Sequence, residues 1–483
     1  MNHLIDRRSF LAGSARLMAV GGAGALLPAS LRAAAPATTL TIDRRTIDVK
    51  GKAASVFDIR RTDGTPGIEL DPGARFLVDL VNSSGEDTII HWHGQKAPYL
   101  QDGVTDERRP LLGAGTTQSY DFAPTPGTHW MHSHHGLQEQ ALMAAPLVVR
   151  SSDDVAADMQ EVTILLHDFS FRDPEEILAG LTGGAAMAGD AMGGGMDHSK
   201  MGHSGMTGMN TGAMDLNDVE YDAFLANDRT FADPLVVQVE PRGSVRLRLI
   251  NGAASTAFWI DLGALSGALV AVDGTPVEPV SGSRFPMTMA QRLDLIVETP
   301  ASGAYPITAQ VEGRRDRTGL ILATPAARIE KVSDLAPAEA SPVDLSLETR
   351  LRAAHPLAER EADRRMTVQL TGSMSPYLWS IDDRVWPDAN RPTIRGGERV
   401  AIELQNRTEM AHPMHLHGHH FQVIAVNGSE IRGAVRDTVL VPVMGSVKIA
   451  FDADNPGRWP FHCHNLYHMA TGMMTELVYD SFV

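Results

Sequence analysis

The sequence predicts an all-β chain of three consecutive β-sandwiches, and three observations carry that prediction. Runs of β-branched and apolar residues recur between Gly, Pro and Asp turns, while long 3.6-residue periodicities are scarce. The chain has 483 residues, about 446 of them beyond an N-terminal leader, too many for one hydrophobic core and enough for three domains of about 150. Histidine pairs of the form His-x-His occur near the start and near the end and nowhere between.

The leader spans residues 1–37. Asp6-Arg7-Arg8-Ser9-Phe10-Leu11 precedes a Gly/Ala-rich, mildly apolar stretch to about Leu31 and then Ala35-Pro36-Ala37. This pattern predicts a twin-arginine export signal cleaved near Ala37, which makes the twin-arginine machinery a partner and the periplasm the destination. Its glycines and few bulky residues make a poor spanning helix, and no later stretch offers 18 apolar residues, so no stable membrane anchor is expected after cleavage. The formal charge is −17, and loss of the basic leader takes it to about −20, a field that disfavours nucleic acid and draws in cations. The chain has one cysteine, hence no intrachain disulfide.

Residues 38–155 form the first predicted sandwich. Alternating runs such as Arg75 to Val81 and Ala145 to Val149 bracket two histidine pairs, His91/His93 in HWHG and His132/His134 in HWMHSHHG. The second, 156–326, begins near Glu161 to Leu166 and is interrupted at 181–214 by a Gly/Met/His-rich insert expected to be flexible. Seven of the 22 methionines fall there, at 187, 192, 196, 201, 206, 209 and 214, interleaved with His198 and His203. Thioether sulfur is soft and favours Cu(I); a solvated linker has little reason to carry so many oxidisable side chains. The rest of this unit holds no His pair and no cysteine, so it is expected to hold none of the metal. Residues 327–365, rich in Ala, Pro, Glu and Arg, read as a connector with a possible short helix, and 366–483 as the third sandwich.

The third sandwich contains Phe461-His462-Cys463-His464. On a strand, neighbours leave opposite faces, so His462 and His464 look one way and Cys463 the other, and one strand serves two metal sites. His468 and Met473 follow, supplying with Cys463 three ligands of a blue-copper centre: thiolate, imidazole and weak axial thioether. In His412-Pro413-Met414-His415-Leu416-His417, His415 and His417 share a face while His412, an odd three residues away, goes to the Cys463 copper. Two pairs from each end give eight imidazoles, more than one ordinary metal needs, and place that cluster between the first and last sandwiches.

Four stretches in the order HWHG, HSH, HPMHLHG and HCHNLYHMATGM resemble the copper motifs of the multicopper oxidases across nearly all of the mature chain. The resemblance implies cupredoxin-like Greek-key sandwiches and four coppers per chain. It makes His412, Cys463 and His468, with axial Met473, the type 1 ligands. His91 and His415 become the type 2 pair, and His93, His132, His134, His417, His462 and His464 the type 3 ligands. It further implies one-electron oxidation of a reductant at the type 1 site, transfer through Cys463 to its histidine neighbours, and reduction of O2 to water.

Asp102 stands eleven residues past His91, where an acidic residue of the family reaches toward the type 2 copper as a proton donor; the alternative is a turn residue before Gly103. Glu409 and Met410, immediately ahead of His412, pair a carboxylate with a thioether to receive a soft cation. Cuprous oxidases are similar, with a methionine at the Met410 position, but their aspartate falls at Thr408. Met469 replaces the acidic residue often found after the second type 1 histidine, which looks more like the copper-resistance oxidases and leaves Asp102 as the main proton donor. The expected substrate is Cu(I), with laccase-like activity on phenols or Mn and Fe ions. A non-catalytic copper-sequestering or structural cupredoxin-fold protein is the alternative, disfavoured because all twelve ligand positions are filled.

Overall fold

The computed structural model describes residues 36–105, 108–183 and 216–482. Nearly all of the predicted leader and of the methionine-rich insert lies outside the described residues. Ala37–Val483 forms one unit, built as three β-sandwiches in chain order. Among the described residues no helix is long and apolar enough to cross a membrane.

In the first sandwich a sheet ordered Lys52–Arg61, Thr38–Val49, Phe76–Asn82, Thr117–Phe122 faces a sheet ordered Ile68–Leu70, Ala144–Val149, Gly127–Ser133, Ile90–His91. The strand Phe76–Asn82 alternates buried and half-buried residues, the period of a strand with one face on a core. Leu40, Ile59, Phe76, Trp92, Tyr120 and Phe122 fill the space between the sheets. The second sandwich packs a six-stranded sheet, centred on Ser244–Asn251 and Arg292–Glu298, against a five-stranded one containing Ala304–Val311. The stretch 327–363 runs through turns and isolated bridges, without the short helix the composition suggested. One isolated turn forms there, with Thr349 N–H donating to the Leu345 carbonyl at 3.0 Å and Leu351 N–H to the Leu347 carbonyl at 3.1 Å, too short a piece for a helix to propagate.

The third sandwich opens with Arg364–Met374, which pairs in parallel with Arg399–Asn406. Its other sheet runs Thr393–Ile394, Met474–Tyr479, Arg458–Cys463, His412–Leu416, Thr438–Val441. Register in this sheet decides the chemistry. Met414 lies opposite Cys463 and His415 opposite His462, so His412, two residues from Met414, shares the Cys463 face while His415 shares the other with His462. In the first sandwich His91 lies opposite His132 in the same way.

Candidate metal centres

Two groups of buried donors result. In the first, Cys463 Sγ is 3.7 Å from both His412 Nδ1 and His468 Nδ1, and those nitrogens are 3.1 Å apart. His412 comes from a strand and His468 from the short helix Leu466–Ala470, whose N-cap Asn465 accepts from the Tyr467 and His468 N–H groups. Met473 is fully buried, and its carbonyl accepts the Cys463 N–H at 3.0 Å. Trp379 walls the group, its ring 4.2 Å from His468 and 5.1 Å from His412. It is a core aromatic in contact with the site, as its apolar neighbours require.

In the second group eight imidazoles converge from both ends of the chain. His134 Nε2 and His417 Nε2 stand 3.5 and 3.0 Å from His462 Nε2. The rings of His93, His132 and His464 lie 5.0–5.6 Å apart, and His91 and His415 are 5.7 Å apart. Burial and the neighbouring imidazoles hold His134, His417, His462 and His464 well below the usual histidine range, and His132 likewise. Neutral rings keep a lone pair for a metal.

Each ring is aimed by what its outward nitrogen touches. His91 Nδ1 donates to the Asp102 carbonyl at 2.9 Å, His417 Nδ1 to Asp102 Oδ2 at 2.9 Å, and His415 Nδ1 to the Asp437 carbonyl at 3.0 Å. His132 Nδ1 lies 2.7 Å from Glu139 Oε2, and His462 Nδ1 donates to the Cys463 carbonyl at 2.9 Å. His93 is turned the other way, with Nε2 outward on Asp437 Oδ1 at 3.1 Å and Nδ1 inward. The inward atoms His91 Nε2, His93 Nδ1, His132 Nε2, His415 Nε2 and His464 Nε2 are buried without a hydrogen-bond partner. Orphaned buried nitrogens converging on one space fit metal ions, since no partner among the described residues offsets their desolvation. Burial pushes the Cys463 thiol up, and a soft metal is what restores its thiolate.

Asp102 therefore stands behind two cluster histidines, 1% exposed, with its Oδ1 unpartnered. Gly103 lets it fold there: at φ +85°, a Cβ would sit 1.8 Å from the Ile90 carbonyl. The turn and the acid are thus one feature. Glu409 is exposed and Met410 buried, and both line a cavity of 330 Å³ beside His412. Thr408, at the position of the missing aspartate, puts its hydroxyl 2.7 Å from His412 Nε2.

Four residues were not legible in the motifs. Asp218, its side chain fully covered, places Oδ2 3.1 Å from His468 Nε2 and accepts from Asn465 Nδ2 at 2.7 Å. Burial opposes its charge, but His468, Asn465 and Tyr377 together hold the carboxyl below its usual range. Asp437 is pushed up by burial and pulled further down by Arg292, whose NH1 reaches Oδ1 at 2.8 Å while NH2 takes Oδ2. Glu139, against His132, is raised well above the carboxylate range by burial and by Asp168. Asp218, Arg292 and Asp437 follow no pattern local to a histidine motif. Glu139 had a signal, an acid five residues past His134 in an otherwise uncharged run.

Three family profiles described as multicopper oxidase match residues 41–154, 161–329 and 359–482. The multicopper oxidase MmcO of Mycobacterium tuberculosis is 32% identical over 455 residues, 91% of this chain and 86% of that protein. Copper resistance protein A of Escherichia coli is 26% identical, with 98% of each chain covered. Among solved structures, that of Fet3p, described as a multicopper oxidase that functions in iron import, superposes with a TM-score of 0.73 at 19% identity, over 92% of this chain and 90% of that one. At that identity it speaks to the fold, and the fold is shared.

Proposed function

Because the chain belongs to the multicopper oxidases, copper-dependent oxidoreductases, we propose that it is an exported enzyme carrying four coppers that oxidises Cu(I) to Cu(II) in copper tolerance, with broader laccase-like activity on phenols or other metal ions. The overall stoichiometry is 4 Cu(I) + O2 + 4 H+ → 4 Cu(II) + 2 H2O. The observation that carries the reading is the placement of Cys463: its sulfur lies 3.7 Å from His412 and His468 while its chain neighbours His462 and His464 turn to the eight-imidazole cluster.

On this reading His412, Cys463, His468 and Met473 would hold the type 1 copper, and His91 with His415 the type 2. His93, His132 and His464 would hold one type 3 copper, and His134, His417 and His462 the other, a division supported by the spacing of the rings and inward nitrogens. Copper bound in these places supplies storage of four single electrons, so that O2 is reduced to water without release of superoxide. The chain does the rest. The Cys463 peptide links the two centres covalently. Asp102 Oδ1 is a buried, unpartnered oxygen available to hold a proton beside the cluster, and Glu139, whose Oε1 is likewise unpartnered, is a second carboxyl in contact with it.

Glu409 and Met410 support Cu(I) as the donor, since they offer a carboxylate and a soft sulfur two to three residues from a type 1 ligand. Leu216, which follows the methionine-rich stretch in the chain, lines the same cavity. Export to the periplasm rests on Arg7-Arg8 and the leader around them. A copper count with optical and EPR spectra tests the class: four per chain, with a blue band, a type 2 signal and an EPR-silent pair, is expected, and one or two would return the chain to copper sequestration. Deleting residues 187–214 is expected to weaken Cu(I) oxidation and spare phenol turnover; parallel loss of both would make that segment structural.

A further inference from the structure

Trp130 stands two residues before His132 on the strand Gly127–Ser133, so both side chains leave the same face. Their rings stack 4.2 Å apart at 19°. The same indole lies 5.3 Å from the ring of His93 and 5.6 Å from that of His464. One side chain, 0% exposed, thus bears on all three imidazoles assigned above to one type 3 copper. The other three, His134, His417 and His462, have ring contacts only with histidines among the described residues.

The indole is held by the sandwich that carries no ligand. Its Nε1 has no hydrogen-bond partner, so packing alone sets its angle. Leu165, Ile250 and Ala290 of the middle sandwich form one apolar cluster with Trp130 and Ala144. Leu165 lies opposite Ile250 on adjacent parallel strands, Gln160–Phe169 and Ser244–Asn251, which makes a rigid backing. Gly252 fits close behind, since a Cβ there would sit 3.0 Å from Leu165 and 3.3 Å from the indole. Outward hydrogen bonds to Asp437 and Glu139 point His93 and His132 at a metal but leave each ring free to tilt about that axis. His464 Nδ1, 3.9 Å from Glu139 Oε1, lacks even that restraint from Glu139. A plate against the ring faces removes the tilt.

We propose that Trp130 is a positioning residue through which the middle sandwich fixes the ligands of one type 3 copper, the His93, His132 and His464 set, and not those of the other. This rests on the division of type 3 ligands proposed above. The two coppers of the pair are then held unequally, although each has three imidazoles. Loosening the backing in the middle sandwich frees one copper and spares the type 1 centre, whose wall is Trp379.

Copper-loaded full-length chain is compared with Trp130→Leu, Trp130→Phe and Ile250→Ala by copper count, EPR and release of copper to EDTA. In Trp130→Leu one copper should leave, bound about 10–100-fold more weakly than in the parent. Its former partner then appears in EPR as an uncoupled Cu(II), while the blue band and the type 2 signal stay at parental strength, certifying the fold. Trp130→Phe keeps a ring face and should restore the fourth copper and the silent pair. Ile250→Ala, on a strand that carries no ligand, should release the same single copper faster than the parent. Four coppers, a silent pair and parental release in both Trp130→Leu and Ile250→Ala overturn the proposal. So does loss of the cluster coppers all together, because selectivity for one copper is the claim. Where Trp130→Leu does not fold, Ile250→Ala decides. Failure of the four-copper reading looks different: the parent itself would count fewer than four or show no silent pair.

Discussion

Replacing Arg292 with Met tests how the copper-free middle sandwich holds the cluster. Arg292 is 0% exposed, and its NH1 and NH2 grip the two oxygens of Asp437 while Nε reaches the Thr128 carbonyl at 3.2 Å and NH1 the Ala290 carbonyl at 2.9 Å. Asp437 in turn aims His93 through Oδ1 and His415 through its carbonyl. Gly94 makes room for this contact, since a Cβ there would sit 2.5 Å from an Arg292 nitrogen. Removing the guanidinium leaves a buried carboxylate without its cation, a loss of about 3–5 kcal/mol for a pair of this kind. Urea unfolding of the metal-free chain followed by tryptophan fluorescence measures it. The double variant Arg292→Met/Asp437→Asn removes the orphaned charge and should fall short of additivity by roughly 1–3 kcal/mol.

The sign with pH follows from the same geometry. In the parent, Asp437 titrates well below 3.8, so its contribution is present above that value and lost only as pH falls through the folded pKa. In Arg292→Met, burial still raises the carboxyl while the largest opposing influence is gone and only His93 and His415 still lower it, so its folded pKa rises, and the deficit is greatest near neutral pH and shrinks as pH falls. A variant that costs under about 1 kcal/mol at pH 7, with additive double-variant energies and a deficit flat in pH, would refute the clamp.

Other outcomes follow from single contacts. Cys463→Ser should abolish the blue band and steady oxidation of every reductant, checked by absorption and oxygen uptake; oxygen consumed at the parental rate would overturn the assignment of Cys463. Asp218→Asn removes the anion facing His468 Nε2. Exchanging a charged for a neutral hydrogen bond costs the oxidised site roughly 1–2 kcal/mol, so the type 1 potential should rise by roughly 40–90 mV, read by spectroelectrochemistry. Glu139, held well above 4.5 by burial and Asp168, makes the metal-free fold lose stability as pH rises from about 4.5 through its folded pKa. Glu139→Gln should remove that decline, seen as a flatter melting temperature against pH.

The sequence by itself determined the fold class and which buried histidines share a face with one another or with Cys463, because both are written in short-range periodicities. Strand alternation is period two, so His462-Cys463-His464 had to divide between two faces and His412 had to part from His415, and the observed registers of Met414 with Cys463 and His415 with His462 follow that parity. The chain's division between two ends likewise required the first and last sandwiches to meet. What only the tertiary structure decided is which groups stand behind the ligands. Asp218 on His468, Arg292 on Asp437 and Asp437 on His93 join residues 145 to 344 positions apart, apart from Glu139, which lies within one loop of His132. The reversed ring of His93 is of the same kind. Backbone geometry repeats every two residues and can be counted along a sequence, whereas the partner of a buried charge is fixed by how separate sheets dock, and docking leaves no local period to count.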